Sequence, residues 1–173
     1  MHYIHYHGQI THQGMRNLEI LLLTAKEEGN NDVTICICSK GGDVSAGIGL
    51  YNYIQMLPIT VHIHCTGLCE SIAATILLAG VSRSSVPVAS FMTHAAVFSD
   101  GPMKGQISND THLISQPFKD KLNWSNEDVE KRFGRDNFSI SPHEAMALGM
   151  IDEIKVITVT DNDTLINVNI PPE

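Results

Sequence analysis

Positive charge is scarce in this chain. Its 11 lysines and arginines stand against 19 aspartates and glutamates, a formal net charge of −8, whereas a nucleic-acid or anionic-membrane partner favours a basic surface. The nine histidines soften that balance only below about pH 6. Long apolar runs are also missing: none approaches the ~20 residues that a helix needs to cross a bilayer. The first residues, Met1-His2-Tyr3-Ile4-His5-Tyr6-His7, lack the cationic start and continuous apolar core of a secretion signal. Neither nucleic acid nor membrane is expected as a partner, and a cytoplasmic location is expected. Cysteine is limited to four residues, and no disulfide framework is expected in a reducing compartment.

The placement of those cysteines warrants a metal check. Cys36 and Cys38 share one face of a predicted strand, and His62 and His64 share a face of another. If the strands are neighbours, thiolates and imidazoles could meet. Zinc ligands, however, usually sit on turns with two to four residues between them rather than inside apolar strands. Buried thiols acting as small hydrophobes explain these positions better. No metal or other cofactor is expected.

A 43% hydrophobic and 17% charged composition suits a folded globular chain, read as a single domain over residues 1–173. Strand and helix patterns alternate along it. Tyr3 to His7 predicts a short strand, and Thr11 to Glu28 an amphipathic helix that stops near Gly29. Val33 to Cys38 is apolar and β-branched, as in a strand buried on both faces. A helix follows over Ser45–Met56, then strands over Val61–Cys65 and Val86–Met92. Helical patterns run from about Ile107 to Asn123, Asn126 to Phe133 and Pro142 to Gly149. From Lys155 to Ile170 the sequence alternates around Asp161-Asn162-Asp163, which predicts a β-hairpin extension. Strands separated by helices imply an α/β fold with a largely parallel sheet.

Two stretches carry chemistry. In Gly67-Leu68-Cys69-Glu70-Ser71-Ile72-Ala73-Ala74, a serine stands where a strand pattern gives way to a helix pattern. Serine there is a favoured N-cap. It is also the placement of a nucleophile on a sharp strand-to-helix turn, with backbone N–H groups free to receive an oxyanion. In Ser39-Lys40-Gly41-Gly42-Asp43-Val44-Ser45-Ala46-Gly47, paired glycines after a buried strand allow a tight turn and a close backbone approach. A phosphate loop is not indicated, because Lys40 precedes the glycines instead of closing the loop.

Together these stretches resemble the proteolytic subunit of Clp protease (ClpP). The first is similar to that family's GQAASMGA nucleophile turn and the second to its SPGGxxxAG signature, at the family's spacing. Ser90-Phe91-Met92-Thr93-His94 resembles the strand that delivers a catalytic histidine, and Arg135-Asp136-Asn137-Phe138 the segment that supplies an aspartate. Pro142-His143-Glu144-Ala145 and Leu148-Gly149-Met150-Ile151-Asp152 resemble the closing helix and its end. The resemblance covers roughly residues 3 to 158 and implies a ClpP/crotonase-like fold built of repeated β-β-α and βαβ units. It implies a serine peptidase with Ser71, His94 and Asp136 as triad, and the N–H groups of Gly42 and Ile72 as oxyanion hole. Peptide or unfolded substrate would then bind along Gly41 and Gly42. It further implies a homo-oligomer, with a ring as one form and an AAA+ unfoldase as the kind of partner such rings engage.

Departures from the pattern are specific. Glu70 stands beside the nucleophile in place of a small neutral residue, and Lys40 replaces a proline. The first strand pattern falls at the start of the sequence, so an N-terminal helix and axial loop that gate a pore are not expected. The interval from His94 to Asp136 is shorter than the family's. Two other activities fit the same pattern: a crotonase-type acyl-CoA enzyme, and a catalytically silent ClpP-like assembly subunit.

Overall fold

The computed structural model describes residues 1–170. In chain order the elements are β1 (His2–His7), α1 (His12–Glu27), β2 (Asp32–Ser39), α2 (Val44–Met56), β3 (Thr60–Glu70), α3 (Ile72–Leu77), β4 (Arg83–Ser85) and β5 (Ser90–Thr93). They continue as α4 (Thr111–Leu122), α5 (Asn126–Arg132), β6 (Phe138–Ile140), α6 (Pro142–Ala147), β7 (Glu153–Ile154) and β8 (Thr164–Asn169). No helix among the described residues is long and apolar enough to cross a membrane.

The sheet grows outward from β3. One edge of β3 pairs in parallel with β2, which continues through β1 to β8. Its other edge is shared, lower down by β4 (Ile63↔Arg83) and higher up by β5 (Glu70↔Met92). Among the strands of the described residues, only the pair β5 with β6 is antiparallel. The register aligns Ile4 with Ile35 and Ile35 with Ile63, stacking branched side chains on one face as parallel strands favour. These residues join Leu18 and Leu22 of α1, Leu50 of α2 and Ile76 of α3 in one fully buried core. Helix α1 starts at Thr11, whose hydroxyl accepts from the N–H of Gly14, and α2 starts at Asp43, whose carboxylate accepts from Ala46.

Two elements differ from expectation. The strand predicted over Val86–Met92 forms only from Ser90 onward (β5), and a separate strand, β4, ends at Ser85 before the predicted range. Pro87 lies between them, and its missing N–H and fixed φ favour a break in the ladder. The second difference is the predicted hairpin over 155–170, which does not form. Residues 155–163 hold no strand, and β8 pairs in parallel with β1 at the far edge, Ile4 opposite Ile166. Alternation marked Thr164–Asn169 as a strand but carried no information about its partner; the open edge of β1 provided one.

Because β7 pairs with β4 and β8 with β1, the segment 155–163 spans the width of the sheet. Five inter-strand steps of ~4.8 Å make roughly 24 Å, within reach of a chain that extends ~3.3 Å per residue. Its ends are fixed by Lys155 N–H donating to Ser85 C=O at 2.8 Å and by the Met1 ammonium against Asp163 at 2.9 Å. In β3, His64 is 1% exposed, with its Nδ1 2.8 Å from the Ser84 hydroxyl.

Burial pushes the His64 imidazole down from 6.5 to about 4, aided by the charge of Lys155. Between those values the unfolded chain binds the proton and the folded protein does not, so stability rises with pH across the window. Acidification from about pH 6.5 to about 4 is therefore expected to lower the denaturation midpoint, and His64→Gln should flatten that slope. Asp128 and Asp163 are held down to about 2 by their hydrogen bonds, so their contribution is lost below this window. Denaturant melts at half-unit pH steps read the difference.

Candidate active site

Ser71 joins β3 to α3 with φ 55° and ψ −128°, a backbone state that costs a non-glycine residue ~1–3 kcal/mol. Its surroundings hold it there. The Ser71 N–H donates to Met92 C=O at 2.7 Å, its C=O accepts from Ala74 N–H at 3.0 Å, and every residue of α3 is buried. Although Ser71 occupies the N-cap position, its hydroxyl makes no capping bond. It lies instead 2.8 Å from Nε2 of His94. The β3–β5 register explains the meeting: Glu70 opposes Met92, so one further step brings Ser71 to the end of β5, just where His94 follows.

A second chain segment supports His94. Thr93 donates its hydroxyl to Arg132 C=O at 2.7 Å, Ala95 N–H donates to Gly134 C=O at 2.8 Å, and Thr93 pairs with Phe138. Asp136 lies on that segment, in the irregular stretch between α5 and β6. It is exposed, and among the described residues no hydrogen bond or ion pair joins it to His94. The structure thus brings Ser71 and His94 together and leaves Asp136 nearby but unjoined. Residues 134–137 have one backbone anchor among the described bonds, the Gly134 carbonyl, and a solvated carboxylate keeps its water unless a better partner is offered.

The Gly41–Gly42 turn lies against Ser71. A Cβ on Gly41 would fall 2.8 Å from Ser71 Cβ and 3.3 Å from its Oγ, so only glycine permits this approach. The turn is clamped by Ile10, in the loop between β1 and α1. Ile10 N–H donates to Gly41 C=O and Asp43 N–H donates to Ile10 C=O, both at 2.8 Å. This bridge uses the groups on either side of Gly42. The Gly42 N–H has no partner among the described bonds, nor has that of Ile72 at the head of α3. Two backbone donors next to a serine hydroxyl are what a developing oxyanion requires. Nothing local in the sequence pointed to Ile10, because an isolated bridge between distant residues leaves no periodic trace.

These groups open into a cavity of about 650 Å³ whose lining includes Ser71, His94, Gly41 and Gly42. Cys38, Leu68 and Val97 also line it, and none of these three was assigned to the site from the sequence. Glu70, next to Ser71 and a departure from the family pattern, is not part of the lining. Thr75 donates its hydroxyl to Ile114 C=O at 2.9 Å and so ties α3 to α4 beneath the site.

The strands that carry Cys36 and His64 are indeed neighbours, with these two residues directly opposite. Their chemistry is otherwise engaged. Burial pushes the Cys36 thiol up to about 11, His64 holds Ser84, and His62 meets Asp32 at 3.1 Å and the hydroxyl of Ser82. Among the described residues no three His, Cys, Asp or Glu side chains gather as a metal site, and all four cysteines are free thiols.

Comparison with known proteins finds related chains. A sequence model described as Clp protease matches residues 2–158. A solved structure of a point mutant of ClpP1 from Listeria monocytogenes superposes with a TM-score of 0.79 at 26% identity, covering 88% of this chain and 90% of that one.

Gly42→Ala tests the clamp. The new methyl would stand 2.2 Å from the Ile10 carbonyl oxygen at a φ of +149°. A loss of about 1–3 kcal/mol of stability is expected, measured by chemical denaturation, together with slower labelling of Ser71 by a fluorophosphonate.

Proposed function

Since this chain belongs to the Clp protease family, we propose that it hydrolyses peptide bonds as a serine peptidase through an acyl-enzyme on Ser71. The observation that carries this reading is the 2.8 Å contact between Ser71 Oγ and His94 Nε2, made by a serine held at positive φ beside two unpartnered N–H groups. A serine hydroxyl is a weak nucleophile until a base takes its proton, and an imidazole at this distance is placed to do so. In the first half-reaction His94 takes the Ser71 proton as Oγ bonds to the scissile carbonyl carbon. The carbonyl oxygen gains the negative charge and is received by Gly42 and Ile72 N–H. Collapse of the tetrahedral species breaks the C–N bond, and His94 returns the proton to the leaving amine. Water then repeats the sequence on the ester, with His94 again as base, and releases the carboxylic acid and free Ser71.

Asp136 is assigned the third role, fixing the His94 tautomer and stabilising its imidazolium. The poorly anchored 134–137 stretch supports a short inward movement of this carboxylate when substrate or a neighbouring subunit orders the site. Catalytic hydrogen bonds often tighten only in the complex. Short or unfolded peptides would bind as an added strand beside Gly41 and Gly42, held by main-chain hydrogen bonds. The reading includes a cytoplasmic location and a homo-oligomer. Exposed Val97, Phe98, Met103 and Ile107, in a loop beside the site, supply apolar surface for contacts between subunits.

Fluorophosphonate labelling followed by peptide mass mapping tests the nucleophile directly. Label is expected on Ser71 and lost in Ser71→Ala, with hydrolysis of fluorogenic peptides down by on the order of 10³-fold or more, and similarly in His94→Ala. Asp136→Asn is expected to cost about 10²–10⁴ in kcat; a change under about twofold would remove Asp136 from the triad. An oligomer of the wild-type chain that takes no label would indicate an assembly subunit instead, and saturable acyl-CoA binding without labelling would indicate a crotonase-type enzyme.

A further inference from the structure

The cavity beside Ser71 differs in charge from the molecule around it. The chain carries a formal net charge of −8, yet no aspartate or glutamate lines the cavity, whereas Lys40, His7 and His94 do. Lys40 is exposed, and none of the ion pairs among the described residues engages it. The carboxylates nearest along the chain are directed elsewhere. Asp43 caps α2 and accepts from Ser45, and Glu70 is outside the lining. Leu68, Val44 and Val97 form apolar parts of the same wall, and low-dielectric walls strengthen the field of a charge they surround.

Position makes this charge useful. The Cα of Lys40 is one residue, about 3.8 Å, from that of Gly41, whose would-be Cβ falls 3.3 Å from Ser71 Oγ. A peptide laid as a strand beside Gly41 and Gly42 advances ~3.4 Å per residue. An ammonium on a flexible four-carbon stem therefore reaches groups one or two residues from the carbonyl that Ser71 attacks. We infer that Lys40 makes this site selective for peptides bearing a carboxylate within two residues of the cleaved bond. The carboxylate belongs to an aspartate or glutamate side chain or to the peptide's own C-terminus. This inference rests on the peptidase reading of Ser71 and adds its substrate class.

The test uses fluorogenic peptides identical except for Glu, Gln or Lys at positions flanking the cleaved bond, each made as C-terminal acid and as amide. Peptide phosphonates of the same sequences report the same preference as labelling rates, so slow turnover does not hide it. Glu is expected to exceed Gln by about fivefold in kcat/KM or labelling rate, the scale of an ion pair open to solvent. Lys is expected to fall below Gln, and the spread should narrow as salt is raised. An acid-over-amide preference with no Glu preference assigns the carboxylate to the peptide terminus. Lys40→Glu should invert the Glu-to-Lys ratio, and Lys40→Met should bring it near one. A ratio unaltered in both variants, or a wild-type protein indifferent to all these carboxylates, overturns the role of Lys40 alone. No cleavage of any peptide, combined with no labelling of Ser71 by a neutral fluorophosphonate, overturns the peptidase reading itself.

Discussion

Strand β3 is held on both of its edges up to its last rung, and the geometry around Ser71 depends on that grip. β2 holds one edge, while β4 and β5 divide the other. The strand therefore cannot slide, and the residue after its last rung enters the following turn at a fixed height. Ser71 is that residue. Its unfavourable φ persists because the strand before it and the buried helix after it leave no room for relaxation. The strain is stored in a part of the molecule where packing energy is concentrated, and that keeps the hydroxyl facing His94 rather than folding back to cap α3.

The β2–β3 pair contains an irregularity that serves the same end. Ile37 opposes Cys65 and Ser39 opposes Cys69, so β3 spends more residues than β2 over this stretch. The extra length bows Thr66, Gly67 and Leu68 out of register, as bulges do where a strand must re-aim a side chain. A Cβ on Gly67 would sit 3.1 Å from the Cys38 sulfur, so the bow is packed rather than loose. Leu68 and Cys38 are placed on the cavity wall by this feature. The floor of the site is therefore built by a local mismatch between strands that are otherwise in strict register.

Much of this was legible in the residues, for physical reasons that differ by element. The amphipathic period of α1 and the unbroken apolar run of β2 are signals of burial, and burial is decided locally by side-chain type. Ser71 stood out because it falls where a strand pattern gives way to a helix pattern, whereas His94 was reached only through the resemblance of Ser90-Phe91-Met92-Thr93-His94 to a family strand. The partner of β8 was not legible, since alternation encodes a half-buried face and says nothing about which edge it joins. One strand was read straight through Pro87, and the re-entry of the chain higher on β3 depends on tertiary pairing. Asp136 could be matched by motif while its distance from His94 could not, because that distance is set by a short irregular loop. The Ile10 clamp on Gly42 depends on two backbone carbonyls and two N–H groups, which every residue but proline possesses.

The segment that carries the chain from β7 across to β8 also bears on how the molecule is made. Pairing β8 with β1 joins His2 to Thr164 and His7 to Asn169, among the longest sequence separations the chain contains. Contacts so distant give little early stabilisation and slow the search for the native topology. While the polypeptide is being synthesised, β1 can dock on β2 but its outer edge waits unpaired until the last strand has emerged. During that interval the nascent protein presents an open parallel edge, a template for joining another chain. Covering of the β1 edge is therefore late, and it leaves β8, with Thr164, Leu165 and Asn167 exposed, as the outer edge of the sheet.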